Sequence, residues 1–310
     1  MNPKLFINDI ASINECSLQN IHKIIKEKNY TTQKISNKLY IENETARFLI
    51  KHEFEKQTIS VHTTKGGVGK TTIAMNLGIR FWMFGAKVLM IDLDQQSNLS
   101  KSFGFKSREH NVIQDILEEK STIQSSIQEV KKNLHIIPSS LKNALNNQYM
   151  QAYSVMPDLF LPKILKKIKN DYDIIIIDCP PALGPIIKSA CLSSDTVVSV
   201  LDPDDYALDG VEHSQKEIEK LNKDRDINIQ FRILLNKYDA RTMFSSATLS
   251  ELQQNEFFKK NLLETIIGTS QEFLKCKAQG ISIFDSFRQG KSCEDIDMLA
   301  RELLGWPRNT

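Results

Sequence analysis

Residues 58 to 76 read TISVHTTKGGVGKTTIAMN, an apolar β-branched run that passes into three glycines and two lysines and then into a helical pattern. Few folds accommodate such a stretch. Gly66, Gly67 and Gly69 let the backbone turn tightly with its N–H groups aimed inward, and the following helix adds the positive end of its dipole. The product is a cradle for phosphates. Lys70 is placed to reach β- and γ-phosphates and the Thr71 hydroxyl to ligate Mg²⁺, so a phosphate-bearing nucleotide with Mg²⁺ is expected. Lys65, Gly66, Gly67, Val68, Gly69, Lys70, Thr71 and Thr72 form the expected binding loop. One position departs from the common G-x-x-x-x-G-K-[ST] pattern: Thr64 stands where the first glycine belongs, and Lys65 is an extra lysine beside it.

The rest of the chain supplies a sheet to carry this loop. TISVHT, AKVLMIDLD, NLHIIPS, YDIIIIDCP, DTVVSVLDP and QFRILLNKYD read as strands separated by helical patterns, the alternation of a parallel α/β fold. Their near-continuous apolar runs suit strands buried on both faces. Asp92 and Asp94, in DLDQQSN, fall at the C-terminal end of one strand, where ligands gather in such sheets. One can hold the metal's water shell and the other can orient an attacking water. Asp178, after four isoleucines, has the place of a metal-site aspartate. In LFLPKILKKIKN the lysines read as the solvated face of a helix.

Composition narrows the partners. Hydrophobic residues at 41% and charged residues at 25% are ordinary globular values, and the net charge of +2 gives no global field for nucleic acid or membrane, so any such site must come from local clustering. Five scattered cysteines argue for a reducing compartment and against a disulfide framework or zinc site. No signal-peptide layout opens the chain, and the longest apolar runs are too short to span a bilayer. A soluble cytoplasmic protein is expected.

KGGVGKTT, DLDQQSN, IIPSS, DYDIIIIDCPP and NKYDART occur in the order seen in the ParA/Soj/MinD family of deviant-Walker ATPases, which the chain resembles over residues 57–310. The resemblance implies that Lys65 reaches across an ATP-dependent homodimer to phosphates bound by the other subunit. It implies that Asp94 positions water for hydrolysis, with Lys65 and Lys70 as its catalytic companions, and that Thr71, Asp92 and Asp178 form the metal environment. Gln95 replaces the proline usual after DLD, so an altered loop is expected. Asn236-Lys237-Tyr238-Asp239 fits the guanine-reading N-K-x-D pattern, but the family places an adenine-contacting asparagine here, which makes Asn236 an adenine contact and Asp239 structural.

Within that family the last helical stretch, SCEDIDMLARELLGWP, argues against membrane binding. Glu294, Asp295, Asp297 and Glu302 face a single Arg301, a charge balance that anionic lipid would repel. The resemblance then points to the DNA-segregating branch: a nucleoid-associated ATPase that binds DNA non-specifically as an ATP dimer and is stimulated by a ParB-like centromere-binding protein. Arg241 matches a family DNA-contacting arginine. A second falls on Glu272, for which Lys275 and Lys277 are nearby substitutes. A nucleotide-regulated transcriptional repressor and a MinD-like spatial regulator are the alternatives.

Residues 1–56 form the other expected domain. FINDIASINECSLQNIHKIIKEKN reads as helix, turn, helix, with Ser17 as N-cap and Leu18, Ile21, Ile24 and Ile25 inward. Gln19, Asn20, Lys23 and Lys26 lie outward, types that contact bases and phosphates in a major groove. YTTQKISNKLYI reads as a two-stranded wing, followed by a helix ETARFLIKHEF. The whole is similar to a winged helix-turn-helix that would bind operator DNA; a docking or dimerisation domain is the competing reading, and nine Lys/Arg against seven Asp/Glu do not decide between them.

Overall fold

A computed structural model of the chain describes residues 3–35, 37–105, 109–153, 156–182, 184–203, 207–285 and 290–308. Ser36, at the tip of the expected wing, and Leu183, in the stretch after Asp178, lie outside them. The described residues build ten strands: β1 (Leu5–Phe6), β2 (Gln33–Ile35), β3 (Lys38–Ile41), β4 (Gln57–His62), β5 (Val88–Asp92), β6 (Gln128–Lys131), β7 (Leu134–Ile137), β8 (Ile174–Asp178), β9 (Thr196–Leu201) and β10 (Gln230–Leu235). Seven form one sheet in the order β10-β9-β4-β8-β5-β7-β6. All its neighbours are parallel except β6 on β7. Every β8 residue is buried, as four successive isoleucines on a two-sided strand require.

All six expected strands are present. β6 was not expected: QEVK is short and polar, and it is tolerated because it closes an edge, where one side faces water. The expected helix over LFLPKILKKIKN is shorter than its pattern, running Phe160–Leu165, and its lysines are exposed as predicted.

Four helices position the first segment and the phosphate cradle. They are α1 (Ile7–Ile13), α2 (Leu18–Lys28), α3 (Asn43–Leu49) and α4 (Lys70–Met83), the last beginning at the glycine-rich loop. Ser17 caps α2 by accepting from the Asn20 amide at 3.3 Å. β2 and β3 pair antiparallel, and β1 adds to β3 in a three-stranded sheet. α3 stops at Leu49, short of the expected HEF, because the next residues turn back to pack: His52 Nε2 lies 2.9 Å from the Ile13 carbonyl and the Phe54 ring sits 5.0 Å from that of Trp306.

This first segment does not stand apart from the sheet. Ile10, Ile13, Ile21, Ile41 and Leu49 share one buried cluster with Ile73, Leu77 and Phe81 of α4 and with Ile296 and Leu299 of the last helix, Lys291–Leu304. At its centre Arg80, 2% exposed, donates through Nε to Asp297 at 2.8 Å and lies 3.6 Å from Asp9 of α1. Asp297 also holds Arg301 at 2.8 Å, and Arg301 donates to Ser12 at 3.0 Å. Asn43 donates to the Trp82 carbonyl at 2.6 Å and the Ala86 carbonyl at 3.1 Å, gripping the far end of α4. Gly85 is left-handed (φ +100°) and passes so close to α3 that a Cβ there would lie 2.5 Å from the Arg47 amide. Two acids of the last helix are therefore not on a surface face: Asp295 and Asp297 are buried, and Asp295 accepts from the Gly268 amide at 3.0 Å, whereas Glu294 stays exposed.

Candidate nucleotide-binding and hydrolysis site

The glycine-rich loop links β4 to α4 at the C-terminal edge of the sheet. Gly67 and Gly69 are left-handed, at φ +81° and +101°, and a Cβ on Gly69 would meet Nδ2 of Asn236 at 2.4 Å. Only glycine fits there, for both reasons. The loop borders a cavity of about 300 Å³ whose walls include Gly67, Gly69, Lys70, Thr71, Thr72, Asp94 and Asn236. The sequence-predicted loop, the expected water-positioning aspartate and the expected base contact thus come together. Val68 contributes backbone alone, since its side chain is buried in the core and its carbonyl accepts from Asn236 Nδ2 at 2.7 Å. The pocket also takes in Asn98, Pro181, Lys237, Phe273 and Leu274, none of which the sequence reading singled out. Asn98 opens the short helix Asn98–Ser102, Phe273 and Leu274 lie on the helix Gln271–Gln279, and Pro181 and Lys237 lie in loops, so no local spacing marks them.

The two lysines do different things. Lys70 is 6% exposed and its Nζ donates to the Lys65 carbonyl at 2.9 Å. Burial lowers its pKa, and Asp178, Cys179 and Asp94 oppose that. Lys65 is not among the pocket's walls; its ammonium lies 3.4 Å from Asp202 at the end of β9. Asp202 also pairs with Lys237 at 3.3 Å, and Lys237 donates to the Gly67 carbonyl at 2.6 Å.

The three aspartates also separate. Asp94 lines the cavity. Asp178 is 0% exposed, and neither carboxylate oxygen has a hydrogen-bond partner among the described residues. Burial, then the nearby Asp92, pushes its pKa well above the usual carboxylate range. An orphaned carboxylate beside Thr71 and a phosphate cradle fits a hydrated cation, because Mg²⁺ takes one or two protein ligands with phosphate and water completing its shell. Asp92 is also fully buried, but both of its oxygens are engaged: Oδ1 accepts from the Asp94 amide at 3.0 Å, and Oδ2 from the amide and hydroxyl of Ser100 at 2.9 and 2.7 Å. Burial raises its pKa to about 7.

The guanine-like signature is spent on other contacts. Asn236 Nδ2 is committed to Val68, Lys237 to Gly67 and Asp202, and both oxygens of Asp239 to Arg241, at 2.9 and 2.7 Å. That guanidinium holds the Asp239 carboxyl at about 2. Arg241 stays 87% exposed on its outer side. Lys275 and Lys277 lie on the helix Gln271–Gln279, but two residues apart they diverge, and Lys277 borders the nucleotide cavity. They do not form one patch. In the first segment, Gln19, Lys23 and Lys26 of α2 are exposed and Asn20 is half-buried.

His62, at the end of β4, is 4% exposed and its Nδ1 has no partner among the described residues. Burial, and then the charge of Lys70, pushes its pKa down to about 4. The unfolded chain protonates this ring near 6.5 and the folded protein does not. Its contribution is therefore fully present above pH 6.5 and is lost as pH falls through 4; a shift of this size is worth about 3 kcal/mol. Denaturant unfolding measured between pH 7 and 4 should give His62→Leu a flatter acid limb than the unsubstituted protein. Identical limbs would assign the acid sensitivity elsewhere.

A parallel sheet with a strand–glycine loop–helix cradle and buried aspartates at its carboxyl edge defines a P-loop nucleotide-binding protein. Residues 56–233 match the family AAA_31, described as an AAA domain. The chain is 28% identical over 248 residues to the sporulation initiation inhibitor protein Soj of Bacillus subtilis, covering 79% of this chain and 97% of that one. It is 28% identical over 251 residues to the chromosome-partitioning ATPase Soj of Treponema pallidum, covering 80% and 97%. A putative plasmid partition protein of Borrelia burgdorferi, solved bound to AMPPNP, shares the fold at TM-score 0.66 and 24% identity, over 78% of this chain and 97% of that chain. A Cyanothece McdA–ATP complex superposes at TM-score 0.72 and 20% identity, over 83% and 100%. The chain belongs to the ParA/Soj-type partition ATPase family. Among its described residues no helix is long and apolar enough to cross a membrane.

Proposed function

We propose that this chain is an ATP-driven DNA-segregation ATPase that dimerises on ATP, holds DNA non-specifically in that state, and hydrolyses ATP when a ParB-like centromere-binding protein engages it. The observation that carries the reading is the division between its two loop lysines. Lys70 is buried against the cradle, while Lys65 is not among the pocket's walls and pairs with Asp202. Lys70 would serve the subunit's own phosphates, and Lys65, paired with Asp202 in the single chain, would exchange that partner for the phosphates of a second subunit. Thr71 and Asp178 would hold Mg²⁺, which when bound neutralises phosphate charge. Asp94 would orient the attacking water. With Nδ2 of Asn236 committed to Val68, its Oδ1 is the acceptor left for an adenine amino group.

DNA would be met through Arg241, with Lys275 and Lys277 contributing from divergent positions, and only a dimer doubles so modest a set of charges. Binding of this kind falls steeply with salt. The exposed face of α2 beside the β2–β3 hairpin supports a second reading, that residues 1–56 recognise operator DNA and repress the protein's own operon. Working site and partner would place the protein in the cytoplasm on the nucleoid.

Lys65→Ala is expected to keep ATP binding, because Lys70 and the loop amides remain, and to lose ATP-dependent dimerisation. Light scattering with and without ATP measures it. A variant that dimerises like the parent protein removes the cross-subunit role. Gel shifts with random DNA should respond to Arg241→Ala and to ATP. Shifts with operator DNA should respond to Asn20→Ala with Lys23→Ala and leave ATP turnover alone.

A further inference from the structure

The segment IIPSS at the end of β7 lies outside the nucleotide cavity, and nothing in phosphate or metal binding accounts for it. Its first serine touches the hydrolysis loop directly. Ser139 Oγ donates to the main-chain carbonyl of Asp94 at 2.6 Å. The Asp94 amide, on the other side of the same residue, donates to Asp92 Oδ1 at 3.0 Å. Asp92 Oδ2 is held by Ser100, whose hydroxyl oxygen accepts from the Ser139 amide at 2.8 Å, so the contacts form a closed ring. Asn143 fixes the last freedom by donating to Ser139 Oγ at 2.8 Å, which leaves that hydroxyl hydrogen for Asp94. Asp92, Ser100, Ser139 and Asn143 are all buried.

We propose that Ser139 is a positioning residue for hydrolysis: with Asp92 and Ser100 it clamps both main-chain polar groups of Asp94 and so fixes the direction of the Asp94 side chain. This rests on the reading of Asp94 as the water-orienting carboxylate. The Asp94 carbonyl also accepts from the Ser97 amide at 2.8 Å within the loop itself, so Ser139 is the contact that ties the loop to the end of β7. Gln95 and Gln96, which follow Asp94, are exposed and bring no packing of their own. Asp94 Oδ1 accepts from the Gln96 amide at 2.9 Å, which leaves Oδ2 for water. The aim of Oδ2 therefore depends on where the main chain is pinned. The same ring gives Asp92 a task that needs no contact with metal: it is the inner jaw of the clamp.

A misdirected group costs rate without costing affinity, and an error near 1 Å lowers turnover by about 100-fold. In the full-length protein, Ser139→Ala should lower kcat for Mg·ATP by about 10- to 100-fold, with the Kd for ATP within twofold of the parent value. Ser139→Cys, which keeps a weak donor in a similar volume, should fall between the two and covers the case in which the alanine variant does not fold. Single-turnover phosphate release should show Ser139→Ala adding nothing once Asp94→Ala is present, because groups acting through one another are non-additive. A purely structural serine would lower both backgrounds by the same factor, or weaken ATP binding with kcat, and either result overturns the proposal. So do folded alanine and cysteine variants with parental kcat. If Asp94→Ala itself turns over normally, the reading of Asp94 fails; if Asp94→Ala stops and Ser139→Ala does not, this inference alone fails.

Discussion

A chain begun at Gln57 is expected not to fold into a stable, soluble monomer, although the match to known family members begins at residue 56. Removing the first segment takes Asp9 from beside Arg80 and Ser12 from Arg301, two guanidiniums that are each 2% exposed. Breaking one buried charge contact by removing a partner costs about 3–5 kcal/mol. It also strips Ile10, Ile13, Ile21, Ile41 and Leu49 from the shared core, and each fully buried side chain of this kind is worth about 1.5–3 kcal/mol. Phe54 and His52 leave Trp306 uncovered. The sum is comparable with the whole stability of an ordinary domain, about 5–15 kcal/mol. Size-exclusion chromatography and thermal unfolding decide the matter. A truncated chain that is monomeric and melts within a few degrees of the full one would show the first segment to be dispensable. Arg80→Ala is the point version, with an expected loss of about 3–5 kcal/mol.

The fusion of the two parts was the feature least legible in the sequence, and the reason is physical. The six strands announce themselves because two-sided burial demands unbroken apolar runs, and α2 announces itself through Ser17 and its isoleucine spacing. The change of pattern near residue 57 is equally visible and reads as a boundary. What joins the two sides is a charge cluster drawn from Asp9, Arg80, Asp297 and Arg301, and a charged residue destined for burial looks locally like one destined for water. The last helix is the same case in part: its four acids read as a repelling surface, but Asp295 and Asp297 are buried hydrogen-bond and ion-pair partners, while Glu294 stays exposed. At the site, the loop was legible because cradle chemistry fixes its spacing, Asp94 was marked by its place at the carboxyl end of a strand, and Asn236 came only from the family resemblance. The remaining walls were not, since Phe273, Pro181 and Lys237 converge only through the sheet order. β6 escaped because a short polar edge strand carries no apolar signal.

Asp94→Ala should bind ATP, dimerise on it and remain on DNA, with turnover reduced at least about 100-fold. The site predicts this separation of binding from chemistry. Phosphate affinity is expected to reside in Lys70, Thr71 and the loop amides, on the β4–α4 side of the cavity, while Asp94 approaches from the end of β5. Its main-chain amide and carbonyl are held by Asp92 and Ser139, so truncating its side chain leaves the loop pinned. Phosphate release measured with saturating DNA, alongside fluorescent-nucleotide binding, tests both halves. Parental turnover would move water orientation to another group, and a parallel loss of ATP affinity would make Asp94 a binding residue.

α4 begins at the phosphate loop and, about 21 Å later, ends in the grip of Asn43 and Arg80. The first segment therefore hangs on no linker. A tethered reader gains effective concentration over any target its tether can span, whereas a fixed reader gains avidity only where both copies meet their grooves at once. In a two-fold dimer of this chain the two α2 faces would stand at a separation dictated by the ATPase halves, and half-sites one helical turn of DNA apart, or a multiple of it, would be accepted or refused on that length alone. Nucleotide, by setting how the halves meet, would act as the ruler.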